Sequence, residues 1–273
     1  IYVRIQQKYD IAAYKTINLM SFTSGLGYLG TNILGSSSAE ARATGLRGIL
    51  TNQTNFGPDG VVECGGYNLV GVGVNANNLT DALFSLFDVV YINYVPTSQF
   101  GSQDAHKLHN WLKTKKNRVL IASYDASDVS QNLLAEILAG KSGIKYFTSN
   151  GGPYPLAAST IGNHYFTTDG PFTKNAPVTS NFALRNYDIY HGEIQVNTSA
   201  SEGITPILMG PGGGIVLGID YSRRIVYWGD TDMSSNLSGT GATNNTAGTI
   251  NNDASKLIAN VFAWITETVL YGE

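Results

Sequence analysis

The feature that most constrains the fold is an alternation of short apolar runs with amphipathic segments in the middle of the chain. Residues 88–95 and 118–125 are nearly continuous apolar runs, typical of strands buried on both faces of a sheet. Helical periodicity marks the segments 102–116 and 128–138, and a further short run follows at 144–147. Because helices of this length connect parallel neighbouring strands, the pattern predicts a mostly parallel sheet with flanking helices.

The ends of the chain extend this sheet. Residues 17–22 form another apolar run, and residues 253–269 carry the apolar stripe of a terminal helix, for which Asp253 is a good N-cap. After residue 189 the pattern changes to short strands separated by turns, among them the Pro-Gly-Gly-Gly turn at 211–214. These segments predict an antiparallel extension in the C-terminal half.

We therefore predict a single three-layer α/β domain over residues 1–273. A loop-rich excursion is expected around residues 150–205, where prolines are frequent and helical periodicity stops. Ser102 is predicted to cap the helix that follows it.

Composition excludes several functional classes. Only 14% of the residues are charged and the formal net charge is −3, so a basic face for nucleic acid is not expected. One dense cluster, Lys113, Lys115, Lys116 and Arg118, lies at the end of a predicted helix, and we predict that it is solvated. No apolar run reaches membrane-spanning length. The neutral polar composition is typical of exported proteins, so we expect a periplasmic, cell-surface or secreted location with a leader removed.

Metal-binding patterns are sparse. The single cysteine, Cys64, excludes an intramolecular disulfide and a cysteine-based zinc site. His106 and His109 share one helix face, but no further ligands are spaced near them, and we interpret both as surface residues. We expect neither a metal nor a cofactor.

The C-terminal third carries a resemblance to a known family. The segments 214–220 and 224–232, the latter ending in Gly-Asp-Thr-Asp, precede a helix at 254–265 that contains Asn260 and Trp264. This ending resembles that of glutamine amidotransferase-like domains, including the trehalose-utilisation-like group. The resemblance implies a flavodoxin-like fold, and fold alone does not imply function.

If the chain were an amidotransferase of the thiol type, the resemblance would imply a cysteine on a strained Gly-x-Cys-x-Gly elbow and a later His-x-Glu pair. The chain offers Cys64, followed much later by His191 and Glu193. Val62 replaces the first elbow glycine, and the residues after Cys64 have an extended pattern. These departures favour a buried Cys64 and a loop position for His191, without a working triad.

The predicted ligand site lies where strands end. Gly25-Leu26-Gly27 follows the first strand, and open α/β sheets bind ligands at the carboxyl ends of their strands. Aspartates follow two further strands, where they could hold a divalent cation, bind sugar hydroxyls or serve only as capping and turn-forming residues. The residues of this predicted site are Ser24, Gly25, Gly27, Asn93, Tyr94, Asp125, Asp230 and Asp232.

Three functions stay open at this point. The first is a non-catalytic domain of an exported protein that binds a small polar or carbohydrate ligand or a protein partner. The second is a hydrolase or sugar-modifying enzyme on the same fold that uses Cys64 or the aspartates. The third is a structural cell-surface module, and the missing elbow favours the first.

Overall fold

The computed structural model describes twelve parts of the chain. Its strands and helices follow the order that the sequence predicts, from an apolar first strand to a long terminal helix. The described residues are 15–22, 44–73, 79–92, 100–123, 135–140, 144, 146–149, 154–161, 164–178, 191–195, 203–229 and 247–272.

The sheet is built around five parallel strands. They are β1 (Ile17–Phe22), β4 (Tyr67–Val72), β5 (Val89–Ile92), β6 (Val119–Ser123) and β11 (Ile225–Trp228). Their order is β4-β1-β5-β6-β11, with parallel pairing throughout. Counted along the chain this is the order 2-1-3-4-5 of flavodoxin-like folds.

Four strands form the antiparallel extension: β7 (Tyr146–Ser149), β8 (His191–Ile194), β9 (Ile204–Met209) and β10 (Ile215–Asp220). Strand β10 runs antiparallel to β11, β9 and β8, and β8 runs antiparallel to β7. The predicted parallel sheet with an antiparallel C-terminal extension is therefore confirmed.

A small separate ladder completes the strands. Its members β2 (Phe56–Gly57) and β3 (Val62–Glu63) pair in parallel and lie outside the main sheet.

Helices cover both faces of the sheet. Helices α1 (Thr44–Thr51) and α4 (Asp253–Tyr271) belong to one buried cluster. Helices α2 (Asp81–Phe84) and α3 (Ser102–Thr114), with the helical residues 135–139, belong to the other. Each fully buried Leu, Ile or Phe in these layers contributes roughly 1.5–3 kcal/mol. The three-layer prediction is confirmed, whereas the single-domain organisation stays a prediction.

Two helix caps differ from the sequence prediction. Asn252, and not Asp253, caps α4, because its Oδ1 accepts a 2.9 Å hydrogen bond from the Ser255 amide. Gly101 precedes α3 in place of Ser102, and the Asp104 carboxylate accepts a hydrogen bond from the Gly101 amide. Both helices begin within one residue of the predicted position.

The basic cluster and the excursion also depart from expectation. Arg118 is buried, and its guanidinium lies 5.1 Å from the centre of the Trp111 ring, so only the lysines of that cluster are exposed. Within the excursion, the residues 158–160 form a 3₁₀ turn and 165–169 form a π-helical turn. No helix among the described residues is long and apolar enough to cross a membrane.

Candidate functional site

The candidate site is the carboxyl edge of the parallel sheet. Strands β1, β5, β6 and β11 are neighbours, and their registers place Phe22, Ile92, Ser123 and Trp228 within about one residue of the same level. The chain order reverses between β1 and β5. That point is the topological switch at which open α/β sheets bind ligands.

Each residue of the predicted ligand site follows one of these four strands. Ser24, Gly25 and Gly27 follow β1, and Asn93 and Tyr94 follow β5. All five lie outside the described residues.

The predicted aspartates occupy the same kind of position on the other two strands. Asp125 follows β6, while Asp230 and Asp232 follow β11, and all three again lie outside the described residues. The four strand ends themselves span about 14 Å, given the spacing of neighbouring strands. The carboxyl ends of the four strands are thus neighbours, whereas the convergence of the eight side chains that follow them stays a prediction.

Two buried polar groups mark this edge. Ser123 and Trp228 are the last residues of β6 and β11, and they are paired in register. Both are fully buried, and neither the Ser123 hydroxyl nor the Trp228 indole N–H has a hydrogen-bond partner in the described part of the chain. The serine stands out in an otherwise apolar strand, and this is a sequence signal that our site prediction missed.

Packing fixes the Trp228 ring. Its edge-to-face contacts are with Tyr91 on β5, at 6.5 Å between ring centres, and with Phe262 on α4, at 6.4 Å. A tryptophan held on two sides cannot turn its N–H elsewhere without repacking the core. The orientation of this donor is therefore set by the fold.

Strand β8 lies beside the same edge. The Gly192 amide donates a 2.6 Å hydrogen bond to the Gly229 carbonyl, directly after β11, and Ile194 pairs with Ile215. A Cβ on Gly229 would meet the Gly192 carbonyl oxygen at 1.9 Å, so only glycine fits this approach. His191 is therefore the first residue of a strand at this edge, which corrects the predicted loop position.

Cys64 lies at the other end of the sheet. The Gly65 amide donates to the Lys15 carbonyl, and the Ile17 amide donates to the Gly66 carbonyl, so Cys64 sits beside the start of β1. The thiol is fully buried, its sulfur accepts a hydrogen bond from the Gly66 amide, and burial raises its pKa. A protonated, inaccessible thiol is a poor nucleophile.

Glu193 has a structural role at the carboxyl edge. Its Oε2 accepts a 2.7 Å hydrogen bond from the Gly214 amide, and its Oε1 accepts one of 3.1 Å from the Gly212 amide. The six residues of β1 span about 20 Å, so Cys64 and Glu193 lie at opposite edges of the sheet. The triad Cys64, His191 and Glu193 is not assembled in this structure.

A cavity of about 850 Å³ lies at the amino edge, opposite the candidate site. The Tyr221 ring packs edge-on against Trp264 beside it, at 5.5 Å between ring centres. The Tyr165 hydroxyl donates a 2.7 Å hydrogen bond to Glu267 of its wall. No sequence pattern predicted this cavity. Within the described residues, no group of three or more His, Cys, Asp or Glu side chains could hold a metal ion.

Comparison with known proteins yields only distant similarities, all of them to solved structures. The sequence matches no protein-family model, and no curated protein matches it. A protein from Thermoplasma acidophilum that is described as a GMP synthase subunit is similar over 92% of this chain and 94% of that chain. The sequence identity is 9% and the TM-score is 0.46. A similarity at this level says nothing about activity, and the fold class rests on the observed strand order.

Proposed function

We propose that the protein binds a small polar ligand, of the carbohydrate class, at the carboxyl edge of its sheet. In this proposal the chain is a non-catalytic, amidotransferase-like domain of an exported protein. The observation that carries it is the unpartnered pair of Ser123 and Trp228 on neighbouring strands. The predicted residues Asp125 and Asp230 would complete the site from the segments that follow those strands.

The unpartnered pair supports a ligand because buried polar groups almost always have partners. A buried hydroxyl or N–H without one costs roughly 1–3 kcal/mol, so each such exception calls for an explanation, and a bound ligand is one. Ser123 can donate and accept, whereas the Trp228 indole N–H only donates. A ligand hydroxyl could accept from the indole and exchange a hydrogen bond with the serine, which is the chemistry of a sugar.

The position of the pair supports the same conclusion. Both groups lie at the carboxyl ends of parallel strands, on the side of the sheet where flavodoxin-like folds bind ligands. Thiol catalysis finds no support, because Cys64 is buried at the opposite edge.

Substitution of the pair tests the proposal. Calorimetric titration with glucose, maltose and N-acetylglucosamine should reveal binding of at least one sugar. Ser123→Ala should weaken that binding about fivefold, the equivalent of one hydrogen bond of about 1 kcal/mol. The same substitution should raise the melting temperature of the unliganded protein, because it removes an unsatisfied buried group.

The two readouts separate a binding role from a structural one. If Ser123→Ala lowered the melting temperature and left binding unchanged, the hydroxyl would be a core group and the site would be refuted. Failure of all three sugars to bind would contradict the carbohydrate class. Asp230→Asn should abolish binding, whereas Asp59→Asn, an exposed aspartate in the β2–β3 segment, provides the matched control.

A sugar-modifying or hydrolytic enzyme is the second candidate. It is favoured by the pairing of β6 with β11, because Asp125 follows the first of these strands in the sequence and Asp230 follows the second. A pair of carboxylates at one edge could provide general acid and base. Under this candidate, Asp125→Asn would abolish turnover of a bound sugar and preserve its binding. If the wild-type protein turned over no bound sugar and Asp125→Asn lost sugar binding, the results would support the binding module.

A further inference from the structure

A second cavity, of about 390 Å³, lies at the amino edge of the sheet. It is bounded by the C-terminal turn of α3, the residues 138–140 and the turn between β10 and β11. Its distinguishing property is positive charge: the described residues that line it include four cationic side chains and no aspartate or glutamate. The cationic side chains are Lys113, Lys116, Arg223 and Arg224, and His109 lies beside them.

Little of this charge is balanced by the described part of the chain. The Arg223 guanidinium donates a 2.7 Å hydrogen bond to Asp220. Lys113, Lys116 and Arg224 form no ion pair with any described carboxylate. The C-terminus of α3 supplies only about half a negative charge. About two and a half positive charges therefore stay uncompensated around one small cavity, and their mutual repulsion would be relieved by an anion.

The cationic turn is held in a defined geometry. Arg224 has a φ of 59°, in the left-handed region that residues with a side chain rarely adopt. Its guanidinium donates hydrogen bonds of 2.7 Å to the Leu112 carbonyl and 3.1 Å to the Arg118 carbonyl. These bonds cap the end of α3 and the start of β6. The charge of Arg224 is thus fixed in place without being neutralised by a described carboxylate.

The wall formed by His109 and Gly140 also has a fixed geometry. The His109 Nδ1 lies 3.0 Å from the Leu138 carbonyl, and a carbonyl only accepts, so Nδ1 carries the proton. The ring packs against Gly140, where a Cβ would lie 2.4 Å from its Cε1. Gly140 also has a φ of +61°, so glycine is needed there on both counts.

We propose that this cavity binds a phosphorylated small molecule. A phosphoryl group carries about two negative charges at neutral pH, which matches the uncompensated charge. Arginine and lysine together provide the planar and point-charge donors that phosphate oxygens accept. A cavity of 390 Å³ lies within the usual range for small-molecule sites, so an organic part accompanies the phosphate.

The shape of the amino edge indicates where that organic part lies. Lys116 and Arg224 line both this cavity and the larger one beside Tyr221 and Trp264. The two cavities therefore meet at these cations. A phosphate among the lysines and arginines would direct the rest of the ligand toward the aromatic rings.

Titration with phosphate compounds tests this inference. Inorganic phosphate should raise the melting temperature, and glucose 6-phosphate should bind more tightly by calorimetry than phosphate alone. Lys113→Gln combined with Lys116→Gln should weaken both effects at least tenfold. Because both lysines are exposed, the variant should fold normally. Lys115→Gln is the matched control, since this exposed lysine lies in the same segment and lines neither cavity.

Three results would overturn the inference. Equal stabilisation by potassium chloride at matched ionic strength would show that phosphate acts only by screening charge. Equal weakening by Lys115→Gln would show attraction to the whole helix end. Equal binding of citrate would show a site without preference for phosphate. Ser123→Ala should leave phosphate binding unchanged, so the two proposed sites can fail separately.

Discussion

Glu193 accepts a 2.7 Å hydrogen bond from the Gly214 amide and thereby fixes the glycine-rich turn between β9 and β10. A Cβ on Gly210 would overlap the Glu193 carboxylate at 2.0 Å, so the turn is closely fitted to this side chain. The acid that the family resemblance would place in a catalytic triad instead stabilises a hairpin. Two of its partners are backbone amides, and it is fully buried.

Replacement of this carboxylate tests the structural role. Glu193→Gln keeps the shape but loses the charge and one acceptor, because an amide nitrogen would face a backbone N–H. We expect the free energy of unfolding to fall by about 1–3 kcal/mol. Chemical denaturation measures the change, and Glu63→Gln, on an exposed side chain, is the control. An unchanged midpoint would show that the turn does not depend on this residue.

Cys64 should resist alkylation in the native protein. Burial raises the pKa of its thiol, so the reactive thiolate fraction at neutral pH is lower than that of a free cysteine. We expect iodoacetamide at pH 7.5 to label the protein only after unfolding in guanidinium chloride, as measured by mass spectrometry. Rapid labelling of the folded protein would contradict the burial of Cys64 and reopen the thiol mechanism.

Glu267 should make the protein less stable as the pH rises. Burial raises its pKa, and the hydrogen bond from Tyr165 offsets this only in part. The native state therefore binds a proton more readily than the unfolded state, and stability is lost as pH rises above the ordinary value of 4.5. Glu267→Gln keeps an acceptor for Tyr165 and should raise the melting temperature at pH 7.

The pH profile of this variant distinguishes the cause. The gain from Glu267→Gln should shrink toward zero as the pH approaches 4, where the wild-type carboxyl is protonated in both states. Thr268→Val, in the same cavity wall, removes no ionisable group, so its effect on stability should not follow this profile. A gain that is constant from pH 4 to pH 7 would rule out titration of Glu267 as its source.

Asn260 ties the excursion to α4. Its Oδ1 accepts from the Phe172 amide, and its Nδ2 donates to the Phe166 carbonyl and the Thr173 hydroxyl. Asn260→Leu should destabilise the protein by about 2–4 kcal/mol, because these buried groups lose their partners. In this variant, proteolytic cleavage within residues 164–178 should accelerate by a larger factor than the loss of global stability alone would cause. Thr268→Val, a half-buried change on the same helix, provides the comparison.

The sequence was sufficient for the layers of the fold because its strongest patterns are local. The strands β5 and β6 are apolar along nearly their whole length, since both faces of the sheet are covered. The cap of α4 differs by one residue from the prediction, because Asn252 and Asp253 are both good N-cap residues and compete for the same role.

The site was harder to predict because it depends on pairing between distant segments. The significance of Ser123 appears only when Trp228 lies beside it, and about 100 residues separate the two in the chain. Glu193 likewise gains its role from a turn that follows it by about 20 residues. The eight residues of the predicted ligand site all lie outside the described residues and stay predictions.

The late arrival of β11 has a consequence for biosynthesis. This strand occupies the interior of the sheet, between β6 and β10, although it is synthesised about 100 residues after β6. Until then β6, an apolar strand of five residues, presents an unpaired edge of the kind that recruits other chains. Truncations that end before residue 225 should therefore aggregate, and the nascent chain should be open to the same association until β11 has been synthesised.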